Sequence, residues 1–242
     1  MNNEWETAEK SLSSLCRSAG LIVTEGQRHV LLNYLRALME MNSKLNLTRI
    51  VEPSQAVRLH IVDSLLCLPE VFVAPAGPLC DVGTGGGLPG VPLCVVSGRR
   101  GTLLDSVGKK ARAVDEILHG LALDGTISAL PLRSEQHALT HGHRYAVVTA
   151  RAVSSLPALV EMAAPLLSDD GVLVALKGSP SADEISRGSE AAALVGLRQV
   201  SDRSLVLPGG DEVRTVITYR RFGKAKLNLP RRPGQAHIAP LA

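Results

Sequence analysis

The 242-residue sequence predicts an α/β protein: a mostly parallel seven-stranded sheet covered by helices, closed by an antiparallel hairpin and preceded by a helical extension. Three observations predict it. From Leu79 onward, short apolar runs of strand length alternate with apolar residues at helical spacing, the pattern of right-handed βαβ units. A glycine-rich string, Asp81 to Gly90, directly follows the first apolar run, as at a turn from strand into helix. The last two runs are joined only by Pro208-Gly209-Gly210-Asp211-Glu212, too short for a crossover, so they must be antiparallel neighbours.

The elements follow in order. Leu31, Leu32, Leu35, Leu38 and Met39 fall on one helical face, and Pro53 opens a second helical stretch carrying Val57, Ile61, Leu65 and Leu66. Asn42 to Arg49 reads as a polar loop between them. The pattern changes at Ala76-Gly77-Pro78, which divides the chain into a helical extension (1–76), a sheet domain (77–222) and a basic tail (223–242). The strands expected are Leu79 to Val82, Thr102 to Asp105, Thr126 to Leu130, Tyr145 to Ala150, Val172 to Leu176, Leu197 to Leu207 and Val213 to Tyr219. Helices are expected over Lys109 to Leu123 and Leu156 to Leu167.

Composition narrows the class. Hydrophobic residues make up 45% of the chain, enough for one full core with an appendage. No apolar run reaches the roughly 18 residues of a spanning helix, and Met1 to Lys10 is too polar for a signal-peptide core, so a soluble, cytoplasmic protein is expected. Cys16, Cys67, Cys80 and Cys94 show no C-x-x-C spacing and are expected to be reduced, structural residues; no metal site is expected. The net charge is +3, but its distribution is uneven: all six charged residues from Arg220 onward are basic, whereas residues 1–219 hold 20 basic and 23 acidic ones. Such a tail suits phosphate contacts, or merely a solvated terminus. Six aromatic side chains leave little material for a base-stacking platform.

The string Asp81-Val82-Gly83-Thr84-Gly85-Gly86-Gly87-Leu88-Pro89-Gly90 is where a nucleotide-like cofactor should sit, because Gly83, Gly85 and Gly87 permit left-handed backbone and close approach. Gly85-x-Gly87-x-x-Gly90 is also the dinucleotide spacing, so a dehydrogenase competes. Asp81, placed before the glycines, would repel a pyrophosphate but suits an amino acid's ammonium group. Asp105, at the end of the next strand, suits the two hydroxyls of a ribose in either cofactor. The closing antiparallel hairpin is the topology of class I methyltransferases, which favours S-adenosylmethionine. The plainer reading of the glycines is a tight turn and nothing more.

The glycine string, continued through Val91-Pro92-Leu93, resembles the signature of the glucose-inhibited division protein B family, the small-subunit ribosomal RNA guanine-N7 methyltransferases. Asn46-Leu47-Thr48, His60 to Ser64, Leu103 to Ser106, Ala150-Arg151-Ala152, Leu176-Lys177-Gly178 and Pro230 to Gly234 resemble family segments in the same order. The resemblance spans about residues 30–234. It implies a class I, Rossmann-like fold, S-adenosylmethionine as donor, a guanine of 16S ribosomal RNA as acceptor, and cofactor contacts at Gly83, Leu88, Ser134, Glu135 and Arg151. Ser134 departs from the alanine or other apolar residue of many members. Glu135 suits the adenine amino group, or is simply an exposed carboxylate at a helix start.

Guanine N7 is a bare lone pair, so its attack on a sulfonium methyl needs no general base, and positioning is the enzyme's task. Arg151 and Lys177, at the ends of the fourth and fifth strands, are the expected positioning residues; their plainer role is a salt bridge to Asp81 or Asp105. The target base should be unpaired or flipped out. Candidate RNA contacts are Lys44, Arg49, Arg151, Lys177, Arg231 and Arg232. Lys109, Lys110 and Arg112 suit phosphate or plain solvation. His60 and Asp63 share a helical face and are read as a brace or an RNA contact, while His137, His141 and His143 read as a loop cluster. A monomer bound to ribosomal RNA or the small subunit is expected. Two alternatives stand beside this: a methyltransferase for another RNA or protein, and a non-catalytic nucleotide-sensing module on the ribosome.

Overall fold

The structure, a computed structural model, describes residues 2–242. The extension comprises α1 (Asn2–Ser18), α2 (Glu25–Leu45), α3 (Pro53–Ala56), a π-helical turn (Val57–Val62), α4 (Asp63–Leu65) and α5 (Leu68–Val73). Then come β1 (Leu79–Val82), α6 (Gly90–Ser97), β2 (Gly101–Leu104), α7 (Gly108–Gly120), β3 (Ile127–Leu130), α8 (Ser134–His141), β4 (Tyr145–Arg151) and α9 (Leu156–Ala163). The chain closes with β5 (Leu167–Lys177), α10 (Ala182–Leu194), β6 (Leu197–Val206), β7 (Val213–Arg221) and α11 (Gln235–Ile238).

The strands form one seven-stranded sheet in the order β3-β2-β1-β4-β5-β7-β6. The pairs from β3 to β5 are parallel, and β7 runs antiparallel to both β5 and β6. Chain order reverses at β1, which has β2 on one side and β4 on the other. In open α/β sheets that switch point leaves a crevice at the strands' carboxyl ends, and the glycine string emerges there. One apolar cluster covers each sheet face. The first unites Leu79, Val147, Val174 and Val216 with α1, α2, α6 and α7; the second unites Cys80, Val148, Ala175 and Ile217 with α9 and α10. The extension therefore shares a core with the sheet.

Several boundaries differ from expectation, for physical reasons. Asn42 to Leu45 is the last turn of α2, not loop: buried Asn42 accepts from the Thr48 amide at 2.7 Å, and Asn46 ends the helix in the left-handed conformation. The N-terminus of α2 is fixed by a Thr24/Gln27 capping box. The stretch from Pro53 is interrupted by the π turn, and α9 stops at Ala163 because Pro165 cannot continue it. His137 and His141 lie one turn apart on α8 with rings stacked at 4.5 Å, so they are no loop cluster. The four cysteines are buried and free, and burial pushes their thiols up from the ordinary range.

Candidate cofactor site

Gly83, Gly85 and Gly87 all adopt positive φ, at 69°, 57° and 79°. The turn is hung on β2, since the amides of Gly83 and Thr84 both donate to the Leu104 carbonyl. Each glycine is needed for a different reason. A Cβ on Gly83 would come within 2.6 Å of Val153 Cγ2, and one on Gly87 would collide with the Tyr34 hydroxyl. Nothing lies within 4 Å of the Cβ position on Gly85, so there the bare backbone faces open space. Tyr34, fully buried on α2, donates to the Gly86 carbonyl at 2.9 Å and braces the turn from the extension. Sequence reading missed it, although Tyr34 lies next to Leu35 on the apolar face already identified.

The two carboxylates organise the turn. Asp81 is wholly buried; one oxygen accepts from Thr149 Oγ1 at 2.8 Å and the other from the Gly90 amide, the first of α6, at 3.0 Å. Burial raises its pKa to about 6 against the opposing hydrogen bonds. Asp81 is thus a helix-capping strut within the turn, a role the sequence reading did not give it. Asp105 accepts from the Gly85 and Val107 amides, both at 2.8 Å. Two bonds leave a carboxylate with spare lone-pair sites, and ribose hydroxyls can use them.

Beside the turn lies a small cleft lined by Gly83, Leu104, Ser106, Ser134, Glu135, Val153, Met162 and His237. Glu135 is buried, accepting from Ser134 Oγ at 3.1 Å and from the Gly234 amide at 2.7 Å, so it is not an exposed helix-start carboxylate. Leu88 is buried behind the turn. A much larger cavity of about 770 Å³ lies between Gly77-Pro78, Arg99 to Thr102, Thr126 to Ser128 and Arg144-Tyr145, at the amino ends of β1 to β4. Volume alone favours it. The switch point and the open backbone at Gly85 lie at the other end of the strands, where open α/β sheets bind their ligands, which makes that end the candidate site. Bare backbone at Gly85, an acceptor-bearing Asp105 and a polar-edged cleft suit a donor built on adenosine.

The expected positioning residues have protein partners, and not the ones expected. Arg151 donates to the Leu59 carbonyl and to Asp63, both at 3.0 Å, instead of meeting Asp81 or Asp105. The other oxygen of Asp63 takes Arg214 Nε at 2.6 Å. Asp63 therefore joins the π turn's helix to β4 and β7, and Ala152, just after Arg151, is held at φ 53°. His60 is buried, its Nε2 lying 2.7 Å from Thr48 Oγ1; burial, and then Arg151, lower its pKa to about 4. Asp63 is accordingly a brace between extension and sheet, whereas His60 bonds within the extension. Lys177 reaches Glu184 and the Ser154 carbonyl, each at 2.8 Å. Arg231 is paired with buried Glu161, whereas Lys44, Arg49 and Arg232 are exposed. Lys44 lines a groove with Glu40 and Glu116 between α2 and α7. No sequence signal marked Arg214, because ion pairs across distant strands have no spacing.

A family model described as GidB, rRNA small subunit methyltransferase G, matches residues 27–208. This chain belongs to that family. Curated relatives named ribosomal RNA small subunit methyltransferase G agree along nearly the whole length. The one from Pelotomaculum thermopropionicum is 34% identical over 93% of this chain and 95% of its own, and the one from Alkaliphilus metalliredigens 31% over 93% and 95%. Among solved structures, a putative sarcosine dimethylglycine methyltransferase from Galdieria sulphuraria superposes with TM-score 0.54 at 12% identity, covering 72% of this chain and 89% of that one. The didemethyltoxoflavin N1-methyltransferase of Burkholderia thailandensis, solved with S-adenosylhomocysteine, gives 0.53 at 14%, covering 78% and 89%. These likenesses establish the class I methyltransferase fold. A GidB-family chain is a methyltransferase whose donor is S-adenosylmethionine, so the dinucleotide reading of the glycine spacing falls away. No helix among the described residues is long and apolar enough to cross a membrane.

Proposed function

We propose that this GidB-family protein transfers a methyl group from S-adenosylmethionine to N7 of a guanine in 16S ribosomal RNA. The observation that carries the reading is the open backbone at Gly85, its amide held by Asp105, at the sheet's switch point in a chain of this family. When bound, the donor supplies an electrophilic methyl on a sulfonium. Asp105 would take the ribose hydroxyls, the amides of the glycine turn would meet the amino-acid end, and Ser134 with Glu135 would border the adenine. Asp81 and Tyr34 hold the turn in shape from behind. N7 needs no deprotonation, so no side chain is assigned as a base. Arg151, Lys177 and the helices they tie together fix the rim against which a base is presented, and Arg49 and Arg232 supply exposed positive charge for phosphates.

Two measurements test the proposal. Calorimetry should show binding of S-adenosylmethionine and none of NAD. Mass mapping of 16S ribosomal RNA from cells lacking the protein should reveal one missing N7-methylguanosine, restored by the purified enzyme and labelled donor. A complete set of N7 methyls in those cells would reject the assigned substrate, and donor binding without labelling of RNA or protein would favour a sensing module.

A further inference from the structure

The basic C-terminal segment is built into the cofactor cleft. Arg231 holds buried Glu161 of α9 through Nε–Oε1 at 2.6 Å and bonds the Ala239 carbonyl at 2.8 Å, while Ala236 is buried in the cluster behind α9. Between these anchors the chain turns at Gly234, φ 82°, and its amide donates to Glu135 at 2.7 Å. The turn of α11 then carries His237 to the cleft, where its Nδ1 lies 2.9 Å from Ser154 Oγ. Ser154 is the residue whose carbonyl takes Lys177.

We infer that Pro230 to Ile238 forms a working wall of the donor site, in which Gly234 positions Glu135 and His237 positions the donor's nucleoside end; this rests on the methyl-donor reading above. A buried carboxylate with a fixed amide donor keeps one orientation, so Glu135 presents its remaining acceptor capacity to the cleft in a set direction. His237 stands exposed at the edge of the small cleft, and the hydrogen bond to Ser154 holds its imidazole there, where a nucleoside seated beside Ser134 and Glu135 meets it. Coupling is reciprocal: if the seated segment strengthens donor binding, bound donor must strengthen the seating.

The test uses the full-length chain and S-adenosylhomocysteine as probe. Wild type should bind it, His237→Ala roughly tenfold more weakly, the size of one well-placed hydrogen bond, and His237→Asn should recover much of the loss. In methyl transfer, His237→Ala should raise KM for the donor and leave kcat at saturating donor unchanged, a split that loss of folded protein would not produce. Hydrogen exchange should show the probe slowing the amides of residues 234–238 in wild type. Unchanged or tighter binding by His237→Ala, or no protection of those amides, overturns the inference. A wild-type chain that ignores the probe instead removes the methyl-donor reading beneath it.

Discussion

Gly85 and Gly87 differ by two positions and by everything that matters to a side chain. Both need left-handed backbone, but Gly87 faces the Tyr34 hydroxyl and Gly85 faces open space. Gly87→Ala should therefore cost about 2–4 kcal/mol, combining the left-handed penalty with overpacking against a fully buried ring. Gly85→Ala should cost only about 1–2 kcal/mol of stability but weaken S-adenosylhomocysteine binding disproportionately. Urea denaturation and calorimetry on both variants check this, and equal stability losses would refute the division of roles. The sequence showed that these glycines were needed. The distinction between them depends on Tyr34, about 50 residues away in the chain, whose approach no local pattern encodes.

At the scale of elements, the extension is fastened to the sheet by Asp63. Its two oxygens each hold an arginine, Arg151 from β4 and Arg214 from β7, and all three side chains are mostly buried. Asp63→Ala leaves two guanidiniums without a carboxylate and should cost about 3 kcal/mol, read as a lowered denaturant midpoint. The same junction is pH-sensitive. His60 titrates near 4 in the folded chain against 6.5 when unfolded, because burial and Arg151 disfavour its proton; His137, buried beside His141, is lowered to about 4 as well. Between those values the unfolded chain binds more protons, so both contributions are fully present above about pH 6.5 and are lost as pH falls toward 4. Asp81, raised to about 6, acts with the opposite sign: the folded chain takes up its proton first, so acidification there adds stability. With two groups against one, stability should fall between pH 6.5 and 5, and His60→Gln should flatten that slope in urea titrations. A slope unchanged in the variant would remove His60 from the account.

For the whole molecule, net charge is a poor guide to which cations are free. Arg231 and Arg232 are neighbours in a basic tail, yet one holds a carboxylate that is 4% exposed and the other points to solvent. Arg231→Ala should lower stability by about 3 kcal/mol. Arg232→Ala and Arg49→Ala should leave stability alone and each reduce the slope of log affinity for RNA against log salt by about 0.7–0.9. Salt titrations of binding, beside denaturant curves, separate the two outcomes. The sequence by itself determined the sheet, its switch from parallel to antiparallel pairing, the glycine turn and the family, because apolar periodicity, connection length and backbone permissiveness are properties of neighbouring residues. Only the tertiary structure decided that Asp81 caps α6, that Arg151 answers to Asp63, and that the tail seats on Glu135. The last two partnerships span 88 and 99 residues, and even the nine from Asp81 to Gly90 close only when the turn folds back; a charged group takes whichever counterpart the packed core brings within reach.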